Sequence, residues 1–422
     1  LTDNLRLSDG ERVDLAPELV TALAPPAIAD IAAARPRRKR PTRRGGISDK
    51  TARFLAERQP ATPCLVVDLD IVADAYKLLR HYMPVARVFY AVKANPAREV
   101  VAMLDGMGSC FDVASRGEVD LCLGLAVPAE RISFGNTIKK ERDIAYAFAQ
   151  GVRLFAFDSA AELEKLSRAA PGARVFCRIL VDSEGAEWPL SRKFGCSPEM
   201  AVDLLRQAKA VGLDPYGVSF HVGSQQTRLD QWDGAIGRAA RMFSLLAEAD
   251  INLRLVNIGG GFPAHYRGDV PGVERYCNAV MAAITRHFGN DLPEIIVEPG
   301  RSIVGDAGVI ESEVVLISQK SLRDTKRWVY LDVGKFNGLA ETMDESIKYR
   351  IETPADGGAA GSVVLAGPTC DSADILYEKT DYKLPLALKV GDKVRILATG
   401  AYTSTYASVG FNGFEPLKTY CI

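Results

Sequence analysis

Eight apolar runs rich in β-branched and aromatic residues recur between residues 87 and 301, and each carries a polar or glycine residue toward its C-terminal end. They are "RVFYAVKAN", "SCFDVAS", "RISFGN", "RLFAFDS", "RVFCRILV", "GVSFHVGS", "RLVNIGGG" and "EIIVEPGR". Amphipathic stretches such as "REVVAMLDGM", "SAAELEKLSRAA" and "AVDLLRQAKAVG" lie between them. The first five runs are spaced by about 22 residues and the later ones by about 40. Strands that are apolar almost throughout, alternating with helices, argue for a parallel sheet covered on both faces. Eight such units argue for a (β/α)8 barrel.

Beyond residue 305 the pattern changes to short alternating runs separated by turn residues, among them "GVIESEVVLISQK", "RWVYLDVG", "SVVLAG" and "DKVRILATGAY". These predict an antiparallel β-domain. The run "ATPCLVVDLD" ahead of the barrel is expected to lend that domain a strand. The expected organisation is therefore a leader over 1–50, a segment over 51–80 contributing to the β-domain, a barrel over 81–305 and the β-domain over 306–422. The leader holds seven Arg or Lys within residues 35–44, among prolines. It reads as an extended, solvated basic segment rather than a nucleic-acid tail.

A formal net charge of −1 over 422 residues gives no general argument for nucleic acid or an anionic surface. No apolar run reaches the roughly 18–20 residues needed to span a bilayer, and no signal pattern opens the chain. Eight scattered cysteines without CxxC or CxxH spacing predict no metal site. Most sit among apolar residues, as reduced thiols of a cytoplasmic protein do.

The C-terminal ends of barrel strands form one face, where chemistry is built. Lys93, Asp112, Asn136, Asp158, Arg178, His221, Gly259–Gly261 and Glu298 all fall at such ends. A lysine ending one strand is ordinarily a snorkelling surface residue, and a single histidine is ordinarily a core residue. Eight polar ends converging on one mouth are harder to explain by stability alone. The triple glycine and the turn "EPGR", with Gly300 and Arg301, follow successive late strands and suit a phosphate. Phosphate, amine and carboxylate together fit pyridoxal phosphate. Its aldehyde takes a lysine of depressed pKa, its phosphate an N–H nest, and its pyridine nitrogen an acid. A flat side chain such as His221 suits its ring.

The motifs "YAVKAN", "FDVAS", "FHVGS", "NIGGGFP", "EPGR", "GPTCDSADIL", "GAYT" and "FNGF" run in order over roughly residues 60–420. In these the chain resembles the fold-type III, pyridoxal-phosphate-dependent basic amino acid decarboxylases, in particular ornithine decarboxylases of the bacterial lysine/ornithine kind. The resemblance implies an alanine-racemase-like barrel with a C-terminal β-domain. Lys93 would be the Schiff-base lysine, Glu298 the partner of the pyridine nitrogen and His221 the residue stacked on the ring. Ser224, Gly259, Gly260, Gly261, Gly300, Arg301 and Tyr402 would hold the phosphate. Asp112, Glu118 and Arg178 would support the lysine and ring. Cys370 would protonate the carbanion from the partner subunit of a homodimer with shared sites. Asp371 would take the substrate's distal ammonium, with Asp344 as second carboxylate.

The implied activity is decarboxylation of L-ornithine to putrescine, with L-lysine to cadaverine as a second reaction, in polyamine synthesis. Diaminopimelate decarboxylases resemble the chain too, but usually carry Glu after the Cys and arginines for the distal carboxylate. Here the motif is "CDSAD", two aspartates without a nearby Arg, which favours a bare ammonium. An alanine-racemase-like enzyme would place Arg near the pyridine nitrogen. A non-catalytic binding protein of this fold is the alternative of a different class; Lys93, Glu298 and Cys370 argue against it.

Overall fold

The structure is a computed structural model and describes residues 46–188 and 193–422. The basic run expected to form an extended leader lies outside the described residues, but the first described element begins within the expected leader. It is a helix, Asp49–Arg58, capped by Ser48, whose hydroxyl accepts from the Thr51 amide.

Eight parallel strands close into a barrel: Ala86–Ala91, Cys110–Val113, Ile132–Phe134, Leu154–Phe157, Arg174–Arg178, Asp214–Ser219, Leu255–Asn257 and Glu294–Val297. Each overlaps one of the eight apolar runs, although Asp214–Ser219 starts three residues ahead of its run. The ring closes where Ile295–Val297 pairs with Ala86–Val88, and where the Leu255 strand pairs with both the Asp214 and Glu294 strands. Side chains alternate across each strand. Phe89, Cys110, Leu154, Ala156, Phe176, Tyr216, Leu255 and Ile296 form a buried cluster of their own, the filled interior of the barrel. Their neighbours Val88, Tyr90, Phe111, Phe155, Val175, Cys177, Val256, Ile295 and Val297 join the outer core beneath the helices.

The inward row, continued two residues further, changes character. Cys110 leads to Asp112, Ala156 to Asp158, Phe176 to Arg178, Leu255 to Asn257 and Ile296 to Glu298. The same alternation that fills the floor therefore carries charge to the mouth. Serines start several of the helices that follow: Ser115, Ser159 and Ser197 accept from the amides of Glu118, Glu162 and Met200. Lys139 is wholly buried between two strand ends. Its Nζ donates to the carbonyls of Asn136 (2.7 Å) and Ala156 (2.6 Å) and pairs with Glu162 at 3.0 Å.

The second sheet is mostly antiparallel and holds eight strands. Gly308–Ser318 lies between Arg327–Leu331 and Lys393–Leu397, and Ala360–Ala366 pairs with Ile375–Pro385. Cys64–Val67 joins it as the sequence predicts, antiparallel to Gly308–Glu311 and parallel to Lys418–Cys421. The helix after it, Leu69–Tyr82, packs instead with the barrel helices Arg98–Gly106 and Val273–Phe288. No helix among the described residues is long and apolar enough to cross a membrane.

Candidate active site

Lys93 stands just beyond its strand, on a single 3-10 turn, Val92–Ala94. That turn is fixed from several sides. The Tyr90 hydroxyl donates to the Asn95 carbonyl at 2.9 Å, and Asn95 Nδ2 donates to the Gly400 carbonyl at 2.9 Å. The Tyr402 amide donates to the Ala94 carbonyl at 2.9 Å. The "GAYT" segment of the β-domain is thus stitched to the lysine turn, and Tyr402 takes left-handed backbone (φ 59) to do it.

Lys93 Nζ lies 3.6 Å from Asp112 Oδ2; the lysine side chain is 47% exposed and the aspartate 3%. Burial pulls the amine's pKa down, but Asp112, Tyr402 and Glu298 pull it up more strongly, so it ends above that of an ordinary lysine. The depressed pKa expected for this lysine is not found, because the mouth holds more acid than a lone lysine would meet. Burial, and then the charge of Glu298, push the Asp112 carboxyl up against the pull of Lys93. Gly135 leaves room for that carboxylate, since a Cβ there would overlap Asp112 Oδ1. Glu118 sits behind, its carboxylate accepting from the Ala114 amide at 2.6 Å.

Glu298 is oriented by Asn257, whose amide donates to its Oε1. Asn257 Oδ1 also accepts from the Gly259 amide at 2.9 Å, so one side chain sets both the carboxylate and the start of the glycine run. His221 Nδ1 accepts from the Gly223 amide at 3.0 Å, which leaves the proton on Nε2. Burial first, and then Arg178 and Lys93, hold its pKa well below the usual range, so the ring is neutral. The glycines permit close approach to this loop. A Cβ on Gly260 would lie 2.6 Å from the Glu298 carbonyl and 3.3 Å from His221 Nε2, and one on Gly261 (φ 99) 2.6 Å from the Gly223 carbonyl. A Cβ on Gly300 would stand 3.4 Å from the Tyr402 hydroxyl. Arg178 faces Phe194 at 5.3 Å, and Asp158 Oδ2 accepts from the Gly195 amide at 2.7 Å.

Arg301 is 3% exposed and fully engaged. It forms a bidentate pair with Glu341 (2.6 and 2.7 Å), donates to the Tyr266 hydroxyl at 2.6 Å, and makes two longer bonds, each 3.2 Å, to Ser224 Oγ. Neither Glu341 nor Tyr266 is among the residues singled out from the sequence. Nothing local in "GLAETMDE" distinguishes its buried glutamate from the exposed acid three residues on.

The β-domain residues form a separate group. Cys370 is exposed, its amide donating to Asn412 Oδ1 at 2.9 Å. Asp371 is exposed and accepts from the Ala373 amide at 2.8 Å. Asp344 is exposed, in left-handed backbone (φ 52). The other aspartate of "CDSAD" is of a different kind. Asp374 is 3% exposed and accepts from the amides of Lys335 (2.7 Å) and Thr369 (3.1 Å) and from the Thr369 hydroxyl (2.7 Å). Gly334 and Gly367 make space for it. Of the two aspartates in this motif, Asp374 is committed to donors of its own chain and clamps two loops together, which leaves Asp371 as the exposed one.

Residues 69–305 match the family model of the pyridoxal-dependent decarboxylase pyridoxal-binding domain. The chain belongs to the pyridoxal-dependent decarboxylases. It is 37% identical over 370 residues to the lysine/ornithine decarboxylase of Selenomonas ruminantium, covering 87% of this chain and 91% of that one. The lysine/ornithine decarboxylase of Vibrio vulnificus, solved with cadaverine, superposes with a TM-score of 0.79 at 32% identity over 89% of this chain and all of that one. The Paramecium bursaria Chlorella virus arginine decarboxylase, solved with agmatine, superposes with a TM-score of 0.81 at 27% identity over 89% of this chain and 100% of that one. The decarboxylase uses pyridoxal phosphate, and the mouth fits that group. Asp112 Oδ1 is buried with no hydrogen-bond partner, the glycine run offers close backbone approach, and the Lys93 amine pairs with Asp112 in the field of Glu298.

Proposed function

We propose that this decarboxylase acts on L-ornithine, releasing CO2 and putrescine, and on L-lysine as a second substrate. The observation that carries the reading is the pair of loops joined by Asp374. Asp371 lies on one of them and Asp344 nine residues beyond Lys335 of the other, both are exposed, and no arginine lies in 335–345 or 367–374. An ammonium tail leaving water needs such carboxylates; a carboxylate tail would be repelled. The named activities of the relatives support a basic amino acid substrate.

In this reading Lys93 would hold the cofactor aldehyde, Glu298 would keep the proton on the pyridine nitrogen, and neutral His221 would offer its flat side chain to the ring. The backbone of Gly259–Gly261, Ser224, Arg301 and the Tyr402 hydroxyl hold the phosphate. The cofactor supplies the electron sink for the bond to the departing carboxylate. Cys370 of a second copy delivers the proton that replaces it, and Asp371 of that copy holds the distal ammonium, with Asp344 beside it. The exposure of Cys370, Asp371, Met343, Val409 and Phe411 in the single chain supports a homodimer that covers them.

Product analysis with ornithine, lysine, arginine and diaminopimelate in parallel tests the substrate. Ornithine should give the highest kcat/KM, with lysine lower by roughly 10–200-fold, the discrimination one methylene allows. Higher kcat/KM for arginine or diaminopimelate overturns the reading.

A further inference from the structure

Arg301 is an edge-bearing side chain, and its two edges are used differently. Glu341 takes the Nη1/Nη2 edge with bonds of 2.6 and 2.7 Å, and the Tyr266 hydroxyl takes the remaining Nη1 hydrogen at 2.6 Å. The Nε/Nη2 edge points at Ser224 Oγ, where both bonds are 3.2 Å. All five donors of the guanidinium are thereby assigned, three firmly and two at the long end of the range. The long pair is the edge that faces the candidate phosphate cup. Glu341 is itself 2% exposed, so the pair is locked by burial as well as by bonding, and the Tyr402 ring lies 4.9 Å from the guanidinium carbon. An arginine freed of such partners carries about 2 kcal/mol of rotamer entropy.

From this we infer that Glu341, assisted by Tyr266, is the positioning residue of the cofactor's phosphate site: it aims the Nε/Nη2 edge of Arg301 at a phosphate oxygen seated beside Ser224. The carboxylate does not touch the phosphate. It fixes the direction of the cation that does, and through the loop 339–345 it ties that cation to the domain bearing Asp344. The inference rests on the phosphate cup proposed above.

Equilibrium titration of purified apoenzyme with pyridoxal phosphate and, separately, with pyridoxal tests it by absorbance, without turnover. Wild type should prefer the phosphorylated form, and Ser224→Ala should lose much of that preference; if neither holds, the cup itself is misplaced. With the cup upheld, Glu341→Gln sets an amide N–H against an Arg301 N–H and loses one of the two bonds. Its dissociation constant for pyridoxal phosphate should rise about tenfold, equivalent to about 1.4 kcal/mol, while that for pyridoxal stays as in wild type. An unchanged or tighter constant for pyridoxal phosphate, or equal weakening toward both ligands, overturns the inference. Tyr266→Phe is the second variant, should Glu341→Gln fail to fold. It removes one acceptor of Nη1 and should weaken pyridoxal phosphate several-fold without affecting pyridoxal. Equal binding of both ligands to this variant and wild type overturns the inference as well.

Discussion

At the scale of single residues, one amine serves two acids. Lys93 feels the charges of Asp112 and Glu298 at once, so deleting it leaves Arg178 as the cation balancing both buried carboxyl groups. Lys93→Ala is expected to lose covalent cofactor attachment and nearly all turnover. Borohydride reduction followed by peptide mass spectrometry reads this directly, and a cofactor mass on another lysine of the wild type refutes the assignment. Glu298→Gln should retain cofactor, because Lys93 and the glycine run remain, yet lower kcat with ornithine by about 10²-fold or more, the scale of a lost acid–base partner. A kcat near wild type would remove Glu298 from its role. Lys93, Asp112, Arg178 and Glu298 were legible because a strand-end position is a local property of the chain. Asn257 was equally legible in principle, lying two residues beyond the inward-facing Leu255, but it was hidden inside a motif read for its glycines. Glu341 was not legible, since its meaning depends on Arg301, 40 residues away and in the other domain.

At the scale of elements, the β-domain loops are held by two buried or half-buried carboxylates that sequence does not separate from their exposed neighbours. Asp374 accepts three hydrogen bonds, and its loss strands the amides of Lys335 and Thr369 at about 1–3 kcal/mol each. Asp374→Ala should therefore lower Tm and raise KM together. Asp371→Ala should leave Tm unchanged while raising KM for ornithine by a factor set by about 2–5 kcal/mol. A Tm loss in Asp371→Ala with KM unaltered would make it a turn residue only. Glu345 accepts from the amides of Glu378, Lys379 and Thr380, each at 2.7 Å, and so ties the 340–345 turn to the strand Ile375–Pro385. Partial burial alone would raise its pKa, but these bonds bring it from 4.5 down to about 2. A carboxyl whose pKa is lower folded than unfolded stabilises the fold above the unfolded value and loses that effect as pH falls through the folded one. The Tm gap between wild type and Glu345→Gln should thus be constant above about pH 5 and close between pH 4.5 and 2. A gap independent of pH over that window would show that the carboxylate charge is not what holds the turn.

At the scale of the whole molecule, the barrel and the second sheet were both legible, because strand spacing and the change from continuous to alternating apolar runs are long-range patterns. A site shared between two copies was expected from the family resemblance alone, because one chain contains no pattern for its own copy. In the single chain Lys93 lies in a mouth bordered by Tyr402 and the "GAYT" segment. Cys370 lies exposed on a loop clamped by Asp374 and Asn412, and shares no hydrogen bond with the Lys93 group among the described residues. If Cys370 is the proton donor proposed above, its thiol belongs at the bottom of a cleft, not on an open loop, unless a second copy covers it. The exposed apolar side chains around that loop, Met343, Val409 and Phe411, are the kind that an interface buries. In the proposed dimer, two-fold symmetry would make both sites alike, each drawing Lys93 from one chain and Cys370 from the other. Lys93→Ala and Cys370→Ala homodimers should each be nearly inactive. Mixed and allowed to exchange subunits, they should regain activity. Random pairing makes about half the dimers mixed, and each mixed dimer has one site with both residues intact, so recovery should approach about a quarter of wild type. Subunit exchange can be followed independently with differently tagged chains. Complete exchange without recovered activity would place Cys370 and Lys93 in the same subunit's site, and the proton donor would then have to reach the mouth by a movement of its own loop.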